Sequence, residues 1–105
     1  METTVFRPLI VPAKTAVLLV FVPPSLTQLL AVNQVLDRVR TELGAFIRIT
    51  RVDQAVHPEV VRSFEVQQLP SFVLLKQGAE IWRHPGLLDA QELTRLLTER
   101  LQEDD

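Results

Sequence analysis

The sequence contains no cysteine. A chain without cysteine forms no disulfide, carries no thiolate nucleophile and offers no thiolate ligand to a metal. Glycine is also scarce, and the three glycines lie too far apart to form a phosphate-binding loop. Because the acidic residues are scattered and the only histidines are His57 and His84, we expect no metal site, no cofactor and no catalytic residue.

Long runs of one charge and long apolar runs are missing as well. The formal net charge is −2 and no basic run is present, so nucleic acid is not an expected partner. The apolar run Ala16–Val22 is far shorter than the roughly 20 residues that span a bilayer as a helix. The first residues also lack the basic segment of a signal peptide. These features predict a cytoplasmic protein without a membrane partner.

Length and composition are typical of a chain that folds. The 105 residues suit one domain, and 47% hydrophobic with 23% charged residues is close to the globular average. No internal repeat or low-complexity linker divides the sequence. We therefore expect a single domain over residues 1–105, with its core at about 16–101.

The first half of the core reads as a strand followed by a helix. Ala16–Val22 is uniformly apolar and stops at two prolines, which is typical of a strand buried on both faces. Ser25 and Gln28 then have the form of a capping box, and the apolar spacing predicts a helix that Gly44 ends. The predicted core face of this helix comprises Leu29, Val32, Leu36, Val39 and Leu43.

A second strand and a short helix are expected next. Residues 45–52 are partly alternating and predict the strand, and Pro58 suits the first turn of a helix that ends near Phe64. An additional strand around Val5–Val11 would lie at an edge or be irregular, because Pro8 cannot donate to a sheet.

A hairpin and a last helix complete the prediction. Residues 71–75 and 79–84 read as antiparallel strands joined by Lys76-Gln77-Gly78. In the second of these strands, Glu80, Trp82 and His84 share one face, and Trp82 either packs under the last helix or anchors an interface. Asp89 is expected to cap the last helix. The predicted buried side of that helix comprises Leu93, Leu96, Leu97 and Leu101.

Several of these segments carry patterns that occur together in one family. They are Val52-Asp53-Gln54 followed by His57-Pro58-Glu59, the segment Val66-Gln67-Gln68-Leu69-Pro70-Ser71-Phe72, and the glycines of Lys76-Gln77-Gly78 and Gly86. With the strand before them, they resemble the thioredoxin family over roughly Ala16–Leu101. The resemblance implies an α/β thioredoxin-like fold: a mixed central sheet flanked by helices on both faces, with a cis-proline loop before an antiparallel hairpin.

The resemblance also places a degenerate motif where the family has its redox cysteines. Leu26-Thr27-Gln28-Leu29 stands in the position of Cys-Gly-Pro-Cys. Val20 aligns with the buried aspartate of active members, and Ile49 aligns with the lysine that usually partners it. Because a buried charge without a partner is costly whereas an apolar replacement is not, the resemblance implies a coordinated loss of thiol-disulfide chemistry.

In the family, an extended peptide lies near the cis-proline, which here would be in the loop Leu69, Pro70 and Ser71. On a helical wheel Leu26 and Leu30 turn away from the core, and exposed apolar surface is the usual sign of an interaction site. The expected partner is a protein or peptide, or a second copy in a homodimer; alternatively, the two leucines pack on neighbouring loops. The candidate binding surface comprises Pro24, Leu26, Leu30, Gln68, Leu69, Pro70, Gly86 and Leu87.

Two other functions stay open for this redox-inactive chain. Some cysteine-free bacterial proteins of this type assist hydrogenase assembly, so an accessory chaperone for maturation of another enzyme is one alternative. Some glutathione transferases, which share the fold, activate the thiol with a serine near a helix start, where Ser25 stands. Capping explains Ser25 as well, and surface positions are expected for His57 and His84.

Overall fold

The structure is a computed structural model that describes residues 15–103. The elements are β1 (Ala16–Val22), α1 (Leu26–Leu43), a 3₁₀ turn (Gly44–Phe46), β2 (Ile47–Asp53), α2 (Pro58–Ser63), β3 (Ser71–Lys76), β4 (Ala79–Pro85) and α3 (Ala90–Glu103). Their kinds and order confirm the prediction. The expected strand at Val5–Val11 lies outside the described residues. Within 15–103, no helix is long and apolar enough to cross a membrane.

The four strands form one mixed sheet in the order β2-β1-β3-β4. The central strand β1 runs parallel to β2 and antiparallel to β3, and β3 is antiparallel to β4. The sheet therefore has two distinct ends. At the proline end, β1, β2 and β4 finish and β3 begins; at the hairpin end, β1, β2 and β4 begin and β3 finishes.

Helices cover both faces of the sheet, as the predicted fold requires. On one face, α1 and α3 pack together over the even-numbered residues of β1, including Leu18 and Val20, and over Phe72 and Leu74. On the other face, Val61 of α2 packs with Phe21 and its neighbours. Because β1 is buried on both faces, its sequence is apolar throughout instead of alternating.

Both predicted helix caps are present. The Gln28 amide donates to Ser25 Oγ at 3.5 Å, and the Glu92 amide donates to Asp89 Oδ1 at 2.8 Å. At the other end of α1, Gly44 has a φ of +51°, a conformation that glycine adopts without a steric penalty. These interactions satisfy amide groups that a helix leaves without internal partners.

Two details of the prediction were wrong. The second strand begins at Ile47 instead of residue 45, because Gly44–Phe46 closes α1 with a 3₁₀ turn that leaves Phe46 70% exposed. The expected core faces of α1 and α3 also include too many residues, since Leu29, Leu96 and Leu101 are only partly buried. Helical periodicity gives the direction a side chain points, whereas the depth of burial depends on the neighbouring element.

An irregularity in β4 changes the expected alternation. Leu74 pairs with Trp82 but Leu75 pairs with Glu80, so Ile81 is an extra residue in the strand. Ile81 and Trp82 consequently both pack against the core beneath α1 and α3. The shift also places Glu80 next to Arg83, and Arg83 Nη2 donates a hydrogen bond to Glu80 Oε1 at 2.9 Å.

Glu65 is held in a conformation that favours glycine. Its φ is +56°, and the bonds Glu65 N to Arg62 O and Val66 N to Val61 O close the end of α2 as a Schellman motif. We expect Glu65→Gly to raise the free energy of unfolding by about 0.5–1 kcal/mol, measured by chemical denaturation. Glu65→Ala removes the carboxylate but keeps Cβ, so an equal gain in that variant would contradict the conformational explanation.

Candidate functional site

Three segments that are distant in sequence meet at the proline end of the sheet. Ser71 lies opposite Phe21 of β1 and opposite Pro85 of β4. Helix α1 begins at Leu26, four residues beyond the end of β1, and the loop containing Gly86 follows β4. The fold thus brings the start of α1, the Leu69–Ser71 loop and the Gly86 loop to one end.

Hydrogen bonds fix the loop before β3. The Leu69–Pro70 peptide bond is cis, and Pro70 and Ser71 are buried. Ser71 Oγ donates to the Gln68 carbonyl at 2.6 Å, and the Gly86 amide donates to the Pro70 carbonyl at 2.7 Å. The two loops are therefore tied to each other as well as to the sheet.

Gly86 is required where it stands for two reasons. Its φ is +89°, and a Cβ built on it would lie 3.1 Å from Nε2 of Gln68. Any larger residue would be strained and would press on Gln68. The close approach of these two loops thus depends on glycine.

Three leucine side chains are exposed to solvent at the proline end. Leu26 is 70% exposed, Leu30 is 56% exposed and Leu87 is 48% exposed. The expected exposure of Leu26 and Leu30 is confirmed, and no loop within residues 15–103 covers either leucine. Leu29, in contrast, packs partly against the core beneath α1. Of the two leucines in the degenerate motif, one therefore faces outward and one inward.

The segments that carry these leucines and the loop before β3 contain no ionised side chains. No Asp, Glu, Lys or Arg occurs in residues 23–36, 66–75 or 84–88, whereas Asp53, Glu65 and Arg83 lie outside these segments, at the two cavities described next. The polar residues of these segments are neutral, and the exposed ones include Gln28, Gln67 and Gln68. This combination of apolar side chains and a neutral amide rim resembles the centre of a protein interface, where charged residues are depleted.

Two shallow cavities lie at the proline end of the sheet. A cavity of about 330 Å³ lies on the β2 side and is lined by residues that include Pro24, Leu29 and Ala55. A cavity of about 290 Å³ lies on the β4 side and is lined by residues that include Gln68 and Arg83. The first cavity reaches Leu29 of α1, and the second lies beside the loop that contains Gln68.

Sequence reasoning missed Arg83 at the second cavity. Its guanidinium forms a bidentate pair with Glu80, and this hydrogen bonding lowers the pKa of the Glu80 carboxyl. The pair exists because Ile81 shifts the register of β4, which no alternating pattern predicts. Val56, which is 64% exposed in the loop after β2, was also missed.

No arrangement for nucleophilic catalysis is visible among residues 15–103. Ser71 Oγ already donates to a carbonyl, and Ser25 Oγ accepts from the helix amide of Gln28. His57 Nδ1 lies 3.6 Å from a Glu59 carboxylate oxygen, and His84 Nδ1 lies 3.3 Å from the Gly86 carbonyl. Neither histidine forms a described hydrogen bond with a serine, as an activated hydroxyl requires. The same part of the chain also holds no cluster of three potential metal ligands.

Comparison with known proteins agrees with the fold. The thioredoxin family model matches residues 1–99. The chain belongs to the thioredoxin family. It does so without the thiols of the family's reaction, because none of its 105 residues is cysteine.

Among curated relatives, the chain is 30% identical over 63 residues to a thioredoxin-like protein of Synechocystis sp., covering 60% of each chain. It is 29% identical over 68 residues to a thioredoxin of Mycobacterium tuberculosis, covering 65% of this chain and 59% of that one. The matched region of this chain spans 40–60% of the length of the first relatives found.

Solved structures of the thioredoxin family show the same fold. A malarial protein superimposes with a TM-score of 0.75 at 23% identity, covering 83% of this chain and 98% of its own. Thioredoxin-2 of the malaria parasite, described as a component of its protein secretion machinery, gives a TM-score of 0.76 at 22% identity, with coverage of 81% and 82%.

Proposed function

We propose that this chain is a redox-inactive member of the thioredoxin family that binds protein through the proline end of its sheet. The partner would lie as an extended segment along the cis-proline loop, with main-chain hydrogen bonds giving affinity. Its apolar side chains would contact Leu26 and Leu87. The surface would thus hold a polypeptide where the family's active members exchange disulfides.

The observation that carries this proposal is the exposure of Leu26, Leu30 and Leu87 beside a loop fixed by hydrogen bonds. A fixed loop loses little conformational freedom on binding, so more of the contact energy appears as affinity. Burying Leu26 and Leu30 removes apolar surface from water at about 25 cal/mol per Å². The absence of charged residues from the segments that carry these leucines avoids the desolvation cost of charged groups there.

Replacing Leu26 with aspartate tests the proposed surface. Peptides selected from a phage-displayed random library would be synthesised, and their affinities measured by fluorescence anisotropy. We expect Leu26→Asp to weaken binding about tenfold or more, because a carboxylate would be desolvated in the contact. The substitution should not impair folding, since an acidic residue in the first turn of α1 is favoured by the helix dipole.

Phe46→Asp is a matched control. Phe46 is also 70% exposed but lies at the hairpin end, so its replacement should leave peptide affinity within about twofold of the unchanged protein. Equal binding by both variants would refute the placement of the site, and failure to select any peptide would refute the function. Sedimentation equilibrium tests the alternative that a second copy of the chain occupies this surface. In that case the unchanged protein would be a dimer, and Leu26→Asp would be a monomer.

The ionic strength dependence of the same binding gives a second readout. Because the segments that carry Leu26, Leu30, Leu87 and the Leu69–Ser71 loop contain no ionised side chains, affinity should change less than about twofold between roughly 0.05 and 0.5 M salt. A steep loss of affinity with salt would show that binding uses charges elsewhere on the protein.

A further inference from the structure

The cavity on the β2 side of the proline end is lined mostly by apolar residues. They are Val22, Pro23 and Pro24 at the end of β1, Leu29 of α1, and Ala55 in the loop after β2. The volume of about 330 Å³ is about twice that of a protein cavity of roughly 150 Å³ that binds benzene. The space therefore suits one large side chain of a bound polypeptide.

One carboxylate lies among these apolar residues. Asp53 lines the cavity and is opposite Val22 in the register of β1 and β2. Its Oδ1 accepts a hydrogen bond from the Ala55 amide at 2.8 Å, whereas its Oδ2 accepts from no donor among residues 15–103. Pro23 and Pro24 have no N–H group to offer it. A group that fills the cavity has to bring a donor, because a covered carboxylate oxygen without a partner is unfavourable.

Hydrogen bonds hold this carboxylate in place before any partner binds. The Asp53 carbonyl accepts from the amide of Val56 at 3.0 Å and from the amide of His57 at 2.7 Å. The bond from the Ala55 amide to Asp53 Oδ1 closes the same turn through the side chain. Little conformational freedom is therefore left to lose when a partner binds here.

An aromatic side chain that carries an N–H group meets both requirements of the cavity. A phenylalanine ring would fill the space but would leave the carboxylate without a donor. Lysine or arginine would supply a donor, but the charged group would lose water against the apolar lining. A tyrosine hydroxyl donates too, but the smaller ring fills less of the cavity. The indole of tryptophan combines the largest ring with one N–H donor and no acceptor.

We propose that this cavity receives a tryptophan side chain of the bound polypeptide, whose indole N–H donates to the Asp53 carboxylate. The inference rests on the proposed function and names an anchor residue of the partner. Leu26 and Leu29 are three residues apart and therefore neighbours on α1, so a segment that contacts Leu26 lies beside the cavity. Tryptophan is also enriched among the residues that contribute most to binding at protein interfaces. A neutral indole agrees with the weak salt dependence expected for the same binding.

The cavity can be tested with N-acetyltryptophanamide, titrated into the full-length protein and followed by the amide chemical shifts in NMR spectra. We expect the shifts to concentrate at Leu29 and residues 53–55, and the affinity to exceed that of N-acetylphenylalaninamide at least about fivefold. The analogue methylated on the indole nitrogen, which lacks the N–H group, should lose the same factor. Equal affinities for the three compounds, or shifts of equal size around Phe46 at the hairpin end, would overturn the proposal.

Asp53→Asn is the matched variant. Asparagine keeps a carbonyl oxygen that accepts from the Ala55 amide, but it has an NH₂ group in place of the second carboxylate oxygen. We expect the variant to bind N-acetyltryptophanamide at least about fivefold more weakly and to bind the methylated analogue within about twofold of the unchanged protein. An equal loss for both compounds would show that the indole N–H does not contact Asp53, and would overturn the proposal.

The selected peptides separate this inference from the proposed function. We expect them to contain tryptophan and to bind Asp53→Asn at least about fivefold more weakly than the unchanged protein. Peptides that lose affinity for Leu26→Asp but bind Asp53→Asn unchanged would overturn the tryptophan site and leave the proposed function standing. Failure to select any peptide would refute the proposed function, whereas the titration with N-acetyltryptophanamide reports on the cavity alone.

Discussion

Val20→Asp will lower the free energy of unfolding by about 4 kcal/mol at pH 7. Val20 is completely buried, and the family resemblance implies that it stands where active members have a buried aspartate. Its neighbours across the sheet are Arg51 and Phe72. Arg51 is exposed and its guanidinium binds Asn33 Oδ1 at 3.1 and 3.2 Å, so it offers a new carboxylate only partial compensation.

The loss should depend on pH in a defined direction. Burial disfavours the ionised form and raises the pKa of the new carboxyl above its unfolded value of about 3.9. Below about pH 3 the carboxyl is protonated in both the folded and the unfolded state, and the charge contributes no loss. As the pH rises towards the folded-state pKa, ionisation of the unfolded state lowers stability by up to about 1.4 kcal/mol per pH unit.

Val20→Asn is the control, because it introduces a polar side chain of similar size without a charge. Its stability loss should be independent of pH and should match that of Val20→Asp near pH 3. Ile49→Lys, placed at the aligned lysine position, should recover at least about 1 kcal/mol in the Val20→Asp background at pH 7. Denaturant unfolding of the four proteins at pH 3 and pH 7 measures these differences. A loss in Val20→Asp that does not vary with pH would show that the site is open to water.

Leu36→Ala will lower the free energy of unfolding by about 2–5 kcal/mol. Leu36 is completely buried between α1 and the sheet, so its truncation removes apolar contacts and leaves a cavity. Alanine and leucine have similar helix propensities, and the change therefore reports on packing and not on helix formation.

Leu30→Ala in the same helix is the matched comparison. Leu30 is 56% exposed, and its truncation should change stability by no more than about 0.5 kcal/mol. If the proposed function holds, Leu30→Ala should still weaken peptide binding several-fold. A stability loss comparable with that of Leu36→Ala would mean that Leu30 is a core residue and would remove it from the candidate surface.

The fold was largely predictable because its signals are local. Ala16–Val22 stops at prolines, α1 is capped by Ser25 and ended by Gly44, and α3 is capped by Asp89; all of these features were read correctly. Errors arose where two elements meet. The 3₁₀ turn at Gly44–Phe46 depends on how α1 enters β2, and a strand pattern extended through Ala45 and Phe46 does not contain that information.

For the candidate site, residue spacing and helical direction predicted the outward position of Leu26 and Leu30. The Glu80–Arg83 pair and the cavity beside Asp53 were not predicted. The pair depends on the extra residue Ile81 in β4, and the cavity depends on how the loop after β2 lies beside the start of α1. Both depend on how separate segments are placed relative to each other, which the periodicity of apolar residues in the sequence does not predict.

The sequence by itself determined which chemistry is absent. Without cysteine there is no thiol, whatever the tertiary structure, and at Val20 and Ile49 the sequence has apolar residues that cannot ionise. Only the tertiary structure decided that Leu26 and Leu30 stay uncovered while Leu29 turns inward, and that the Leu69–Ser71 and Gly86 loops are tied together. The physical reason is that composition limits the reactions a chain can perform, whereas exposure depends on which distant segments pack against each residue.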